Sequence, residues 1–159
     1  MNRLPRFKKS GFTIIELLLV MLILASISGF LAVRFFGAYR RQGLESDTQK
    51  IVFTLRGARD KSINQEDFSQ WGVHFDNSSS TASYSLFKGG SFATGTVVSS
   101  NLLSPGVDFS NPAEGSSADF IFSKLSGIPS AAGTVSVFLI DSPSSTKNIV
   151  INGNGTVDY

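Results

Sequence analysis

Phe12 to Val33 reads FTIIELLLVMLILASISGFLAV, 22 residues in which Glu16 is the only ionisable side chain. At ~1.5 Å per residue a helix of that length covers roughly 33 Å, enough to cross the hydrocarbon core of a bilayer. A soluble domain would have to surround such a helix on every side, and the rest of the chain has few other long apolar runs to do so. Four basic residues precede the stretch (Arg3, Arg6, Lys8, Lys9) and three follow it closely (Arg34, Arg40, Arg41). That margin favours the N-terminus inside and the bulk of the chain outside. A cleaved secretory signal is the competing reading. Its apolar region is normally shorter, and its small-residue cleavage sites are poor here, with Ala25 and the Ser28-Gly29-Phe30 step as imperfect candidates. It also leaves Gly11 and Glu16 without a purpose.

A carboxylate in an apolar span costs about 2.5 to 3.5 kcal/mol at mid-membrane and less near the end, where Glu16 lies. Such a group is expected to have a positively charged partner at the same depth. The alternative is a carboxylate that only reaches to the interface.

The composition narrows the function classes. With 159 residues, 42% hydrophobic and 16% charged, the chain fits one globular domain plus an appendage. It has no cysteine, which excludes disulfide frameworks, thiolate metal sites and thiol nucleophiles. The formal charge is +2, yet residues 62–159 hold three basic and eight acidic groups. An acidic C-terminal half argues against a broad phosphate-binding surface, so nucleic acid is not an expected partner.

Beyond Val33 the helical pattern continues. No proline occurs between Pro5 and Pro105, and Leu44, Thr48, Ile51, Leu55, Ala58 and Ser62 recur at spacings of three and four. They define one apolar face, with Arg41, Glu45, Lys50, Arg56, Arg59 and Lys61 opposite. A helix from Phe12 to about Ser62 would be roughly 75 Å long, with Gly29, Gly37 and Gly43 as its weak points. Phe35, Phe36 and Tyr39 suit an interface or helix packing equally well. After Gln65 the period becomes two. Trp71–Phe75 and Ser83–Phe87 alternate around the polar run Asp76–Ser80, which predicts a hairpin. Further strands are expected at Thr96–Val98, Val107–Phe109, Phe120–Phe122, Thr134–Ile140, Ile149–Ile151 and Thr156–Tyr159, the last two joined by the tight turn Asn152-Gly153-Asn154-Gly155. The expected class is α+β, a long helix packed on an antiparallel sheet, without a βαβ rhythm.

The segment Lys8-Lys9-Ser10-Gly11-Phe12-Thr13-Ile14-Ile15-Glu16-Leu17 resembles the signal of type IV pilins and type II secretion pseudopilins. The resemblance implies a basic leader, residues 1–11, removed by a prepilin peptidase after Gly11, and N-methylation of the new terminus at Phe12 by the same enzyme. It implies that Glu16 pairs with the terminal amine of a neighbouring subunit during assembly. Residues 12–33 would then be the transmembrane and filament-core helix, 34–65 an amphipathic continuation, and 66–159 the β-rich head. The implied partners are the peptidase, other pilin or pseudopilin subunits, an inner-membrane assembly platform, and the lipid bilayer before assembly. Cleavage next to glycine suits the backbone, which lies close to a protease most easily without a Cβ. The midway proline of many pilins is missing.

The head is similar to GspH/FimT-like minor pilins in its Arg56–Ile63 helix end, its Trp71-Gly72-Val73 hairpin, the run from Phe120 to Pro129, and the closing Ile149–Val157. Some FimT-like proteins bind DNA through a basic C-terminus, but here Lys147 stands alone beside Asp141 and Asp158. No catalytic residues, cofactor or metal are expected. His74 lacks an accompanying acid or nucleophile motif and reads as solvent-facing or hydrogen-bonded. The acids lack EF-hand spacing. Trp71, Phe87 and Phe92 read as core or helix-facing. A permanently anchored single-pass protein with a ligand-binding or sensor head is the alternative to a filament subunit. It would have no use for the Gly11–Phe12 junction.

Overall fold

The computed structural model describes residues 11–159, without the side chains of residues 30–38. Residues 1–10 of the leader and the side chains of Phe35 and Phe36 therefore lie outside the described part. The chain divides into two units, Met1–Ala38 and Tyr39–Tyr159. One helix, α1, runs over Ile14–Ile63. It starts two residues later than expected, because Thr13 stays outside and uses its hydroxyl to accept the Glu16 N–H at 3.3 Å.

In the Tyr39–Tyr159 unit the expected helix face is the buried one. Leu44, Thr48, Ile51, Leu55, Ala58 and Ser62 are all at most 5% exposed. Thr48 satisfies its hydroxyl on the Leu44 carbonyl at 2.7 Å, so a polar residue sits in the stripe without an unmet group. Val52 extends the apolar face, and Asp47 is buried beside it.

Eight strands follow: β1 Trp71–Asp76, β2 Ser83–Lys88, β3 Thr96–Leu102, β4 Val107–Asn111, β5 Ser117–Phe122, β6 Gly133–Leu139, β7 Ser142–Ile151 and β8 Val157–Asp158. They form two four-stranded sheets rather than the single sheet expected, in the orders β3-β2-β1-β5 and β4-β6-β7-β8. All pairings are antiparallel. One core joins the helix to both sheets, with Val73, Phe75 and Phe122 from the first and Val135, Val137, Ile149 and Ile151 from the second. Phe75 sits at its centre, edge-on to both Phe109 and Phe120.

Polar ties fix the helix to the sheets at several heights. Asp47 accepts the Ser104 N–H at 2.6 Å and its hydroxyl at 3.0 Å. Arg56 donates to the Val157 carbonyl at 2.6 Å, which anchors the short last strand. Ser62 accepts the Trp71 N–H at 2.9 Å. Close backbone approach is needed at Gly155, where φ is +83° and an added Cβ would lie 2.2 Å from the Gly127 carbonyl oxygen.

Candidate functional site

The N-terminal segment carries the candidate site. Gly11 and Phe12 precede the helix, and both are exposed, Phe12 at 80%. Their peptide bond is thus outside any helical hydrogen bonding, a condition a protease needs to bind backbone in extended form. Thr13 and Glu16 have the spacing of a capping box, and the Thr13 half of it is made. Glu16 is in the first turn, where the helix dipole favours a negative charge. From Ile14 to Gly29 every side chain is exposed, and the ring of apolar surface includes Leu17, Leu18, Met21 and Leu22. Among the described residues no helix is long and apolar enough to cross a membrane. The stretch expected to span, Phe12–Val33, begins outside the helix and runs past Gly29 into residues whose side chains are not described.

Residues 6–32 match the prokaryotic N-terminal methylation motif. The match contains Gly11, Phe12 and Glu16 and ends one residue before the end of the apolar run. In fold, the chain is similar to the minor pseudopilin EpsH from the Type 2 Secretion System of Vibrio cholerae, with a TM-score of 0.52 over 72% of this chain and 94% of that one. At 17% identity that likeness speaks to the fold, which is pilin-like, as the helix-then-sheet reading expected. The comparison with curated proteins gives no match.

The head holds one constellation that the sequence concealed. Cross-strand register places His74 opposite both Ser85 and Asp119, although 45 residues of chain separate His74 from the acid. His74 Nδ1 lies 2.5 Å from Asp119 Oδ1. Ser, His and Asp thus stand in a row across three strands. The row is not arranged for nucleophilic attack: Ser85 donates instead to Ser100 Oγ at 2.9 Å and is buried, and Phe92 stacks on the imidazole at 3.7 Å. A general base must reach its nucleophile. Phe92 also packs edge-on to Phe87, which lies over Gly72. Phe87 is fully buried, as expected, but together with the half-buried Phe92 it forms a small cluster apart from the main one, so Phe92 is neither core nor helix-facing. Trp71 is in the main core, as expected.

A second residue missed in the sequence is Asn77. Inside the polar run that forms the expected hairpin loop, it is 3% exposed and donates to the carbonyls of Phe109 at 3.1 Å and Pro112 at 2.9 Å. Its neighbour Asp76 accepts from the Ser78 hydroxyl and N–H, which holds its carboxyl below the usual range. Asparagine in a serine run gives no signal of burial. Among the described residues no three metal-ligating side chains converge.

Proposed function

We propose that the chain is a minor pilin or pseudopilin subunit, made as a membrane-anchored precursor and cut after Gly11. The observation that carries this reading is the methylation motif seated on an exposed Gly11–Phe12 junction that leads directly into an apolar helix with one carboxylate. Cleavage there frees an α-amine at Phe12, four residues from Glu16. A prepilin peptidase then methylates Phe12, and Glu16 of one subunit pairs with the amine of the next, offsetting the cost of burying both charges. The pilin-like head supports the same reading. The precursor holds its N-terminus inside the cytoplasmic membrane and its head outside, with residues 12–33 in the bilayer until an assembly platform extracts them. Its role is mechanical rather than catalytic.

Intact-mass and N-terminal analysis tests this, on protein recovered from membranes of a host with and without its prepilin peptidase. The expected product begins at Phe12, carries one extra methyl, and is present only with the peptidase. A chain still beginning at Met1 would leave a permanently anchored module, and one beginning after Ala25 a secreted protein.

A further inference from the structure

The head displays an apolar knob at one end. Where α1 gives way to the sheets, Gln65, Asp67 and Phe68 all take positive φ, at 52°, 54° and 53°, and Leu125 does so at 65°. None is glycine, so each conformation costs of order 1 kcal/mol or more and persists only where its surroundings enforce it. The enforcement is visible. Lys61 pairs with Glu66 at 2.5 Å, Lys88 pairs with Asp67 at 3.0 Å, and Trp71 Nε1 donates to the Glu66 carbonyl at 3.0 Å. Lys124 donates to the Phe68 carbonyl, and the Leu125 N–H to that of Ser62. These bonds do not bury the loop. They hold Phe68 and Leu125 outward, 84% and 68% exposed, on segments that Lys124 ties together. Strained backbone that serves to expose two large apolar side chains marks a contact surface.

The head also has a cavity that suits such a knob. It measures about 360 Å³ and is lined by Ala82, Leu102, Leu103, Pro105, Val107 and Ile140. Leu102 and Ile140 form an exposed apolar rim, and Asp108 contributes an acid, opposite in sign to the Lys124 that flanks the knob. The two features are at opposite ends of the head. The cavity wall includes Ser104, which is tied to Asp47, whereas the knob is tied to Ser62. Fifteen residues of helix between those anchors amount to about 22 Å.

We infer that Phe68 and Leu125 of one copy seat in the Leu102–Ile140 cavity of a second copy of this chain. Such a contact is heterologous, and a heterologous contact that does not close into a ring propagates as a helix. It uses head residues only and so goes beyond the cleavage and anchoring proposed above.

The chain has no cysteine, which makes cross-linking unambiguous. Phe68→Cys and Ile140→Cys combined in the uncleaved full chain, solubilised in detergent and oxidised, are expected to give a ladder of dimers and larger species. Adding Leu125→Glu should lower the yield about tenfold, the equivalent of 1.4 kcal/mol of contact. Phe53→Glu, at an equally exposed position that lines neither the knob nor the cavity, should leave it unchanged. No cross-link with the pair would overturn the inference. So would dimers of equal yield from Phe68→Cys alone, which would place knob against knob. All substituted positions are exposed, and thermal denaturation of each variant checks that the head is folded. Because the precursor is used, failure of processing at Gly11 cannot produce either overturning result.

Discussion

Between Ile14 and Gly29 every side chain of α1 is exposed, whereas between Leu44 and Ser62 the same helix turns a continuous stripe of six residues into the core. The first stretch holds nine leucines and isoleucines in 16 residues and the second three in 19. They also differ in what accompanies the apolar residues: one carboxylate in the first stretch, charged residues on a defined opposite face in the second. The second stretch satisfies its stripe within its own chain. The first has apolar surface on all sides, at roughly 25 cal/mol per Å² left in water, and needs lipid or other subunits to cover it. One helix thus has two solvents.

The sharpest way to break this comparison is at the junction that opens the first stretch. Gly11→Val should slow appearance of the mature chain about a hundredfold, the cost of roughly 3 kcal/mol of misfit in a protease site, as read by the ratio of precursor to product in a pulse-chase. Glu16→Ala should leave cleavage intact and remove the chain from sheared filaments. Next in size is Leu55→Ala, fully buried, which should destabilise the head by about 2 to 5 kcal/mol and lower its Tm by roughly 10 °C or more. Leu19→Ala should leave that Tm unmoved. Equal effects from the two would show that the halves are not distinct.

Within the second stretch, Asp47→Ala leaves the Ser104 N–H without its acceptor and should cost about 1 to 3 kcal/mol in denaturant unfolding. The smallest effect is expected at Glu45. Its 2.8 Å bond to Lys147 holds the carboxyl below its usual 4.5. A depressed folded-state value gives stability that is present above the unfolded value and lost as pH falls through the folded one. The Tm difference between the wild-type chain and Lys147→Ala should therefore shrink below pH 4.5. A difference that stays constant would assign Lys147 a packing role only.

Periodicity made much of this legible. Spacings of three and four picked out the buried helix face, and alternation placed a strand at each of the eight positions where one occurs. Strand ends were shorter in the sequence reading wherever exposed polar residues continue a strand. Ser99, Ser100 and Asn101 extend β3, and Ser142 to Asn148 extend β7, without an apolar pattern to reveal it. The partition into two sheets depends on pairings between distant segments, which local pattern does not encode. The same reason hid Asp119 from His74. The positive φ values at Gln65, Asp67 and Phe68 had no signal, since none of these is glycine. At the N-terminal segment the reverse held: the methylation motif lies in contiguous sequence, so Gly11, Phe12 and Glu16 stand out as candidates without knowledge of the fold.

The ties between helix and sheets also set how the head bears force. Asp47 to Ser104, Arg56 to Val157 and Ser62 to Trp71 are spread along the helix. Tension applied along the helix axis would load all three together, in shear, along with the apolar stripe between them. A pull across the axis would open them one after another, as in peeling. The head therefore resists best the direction in which a thread of such helices would be drawn.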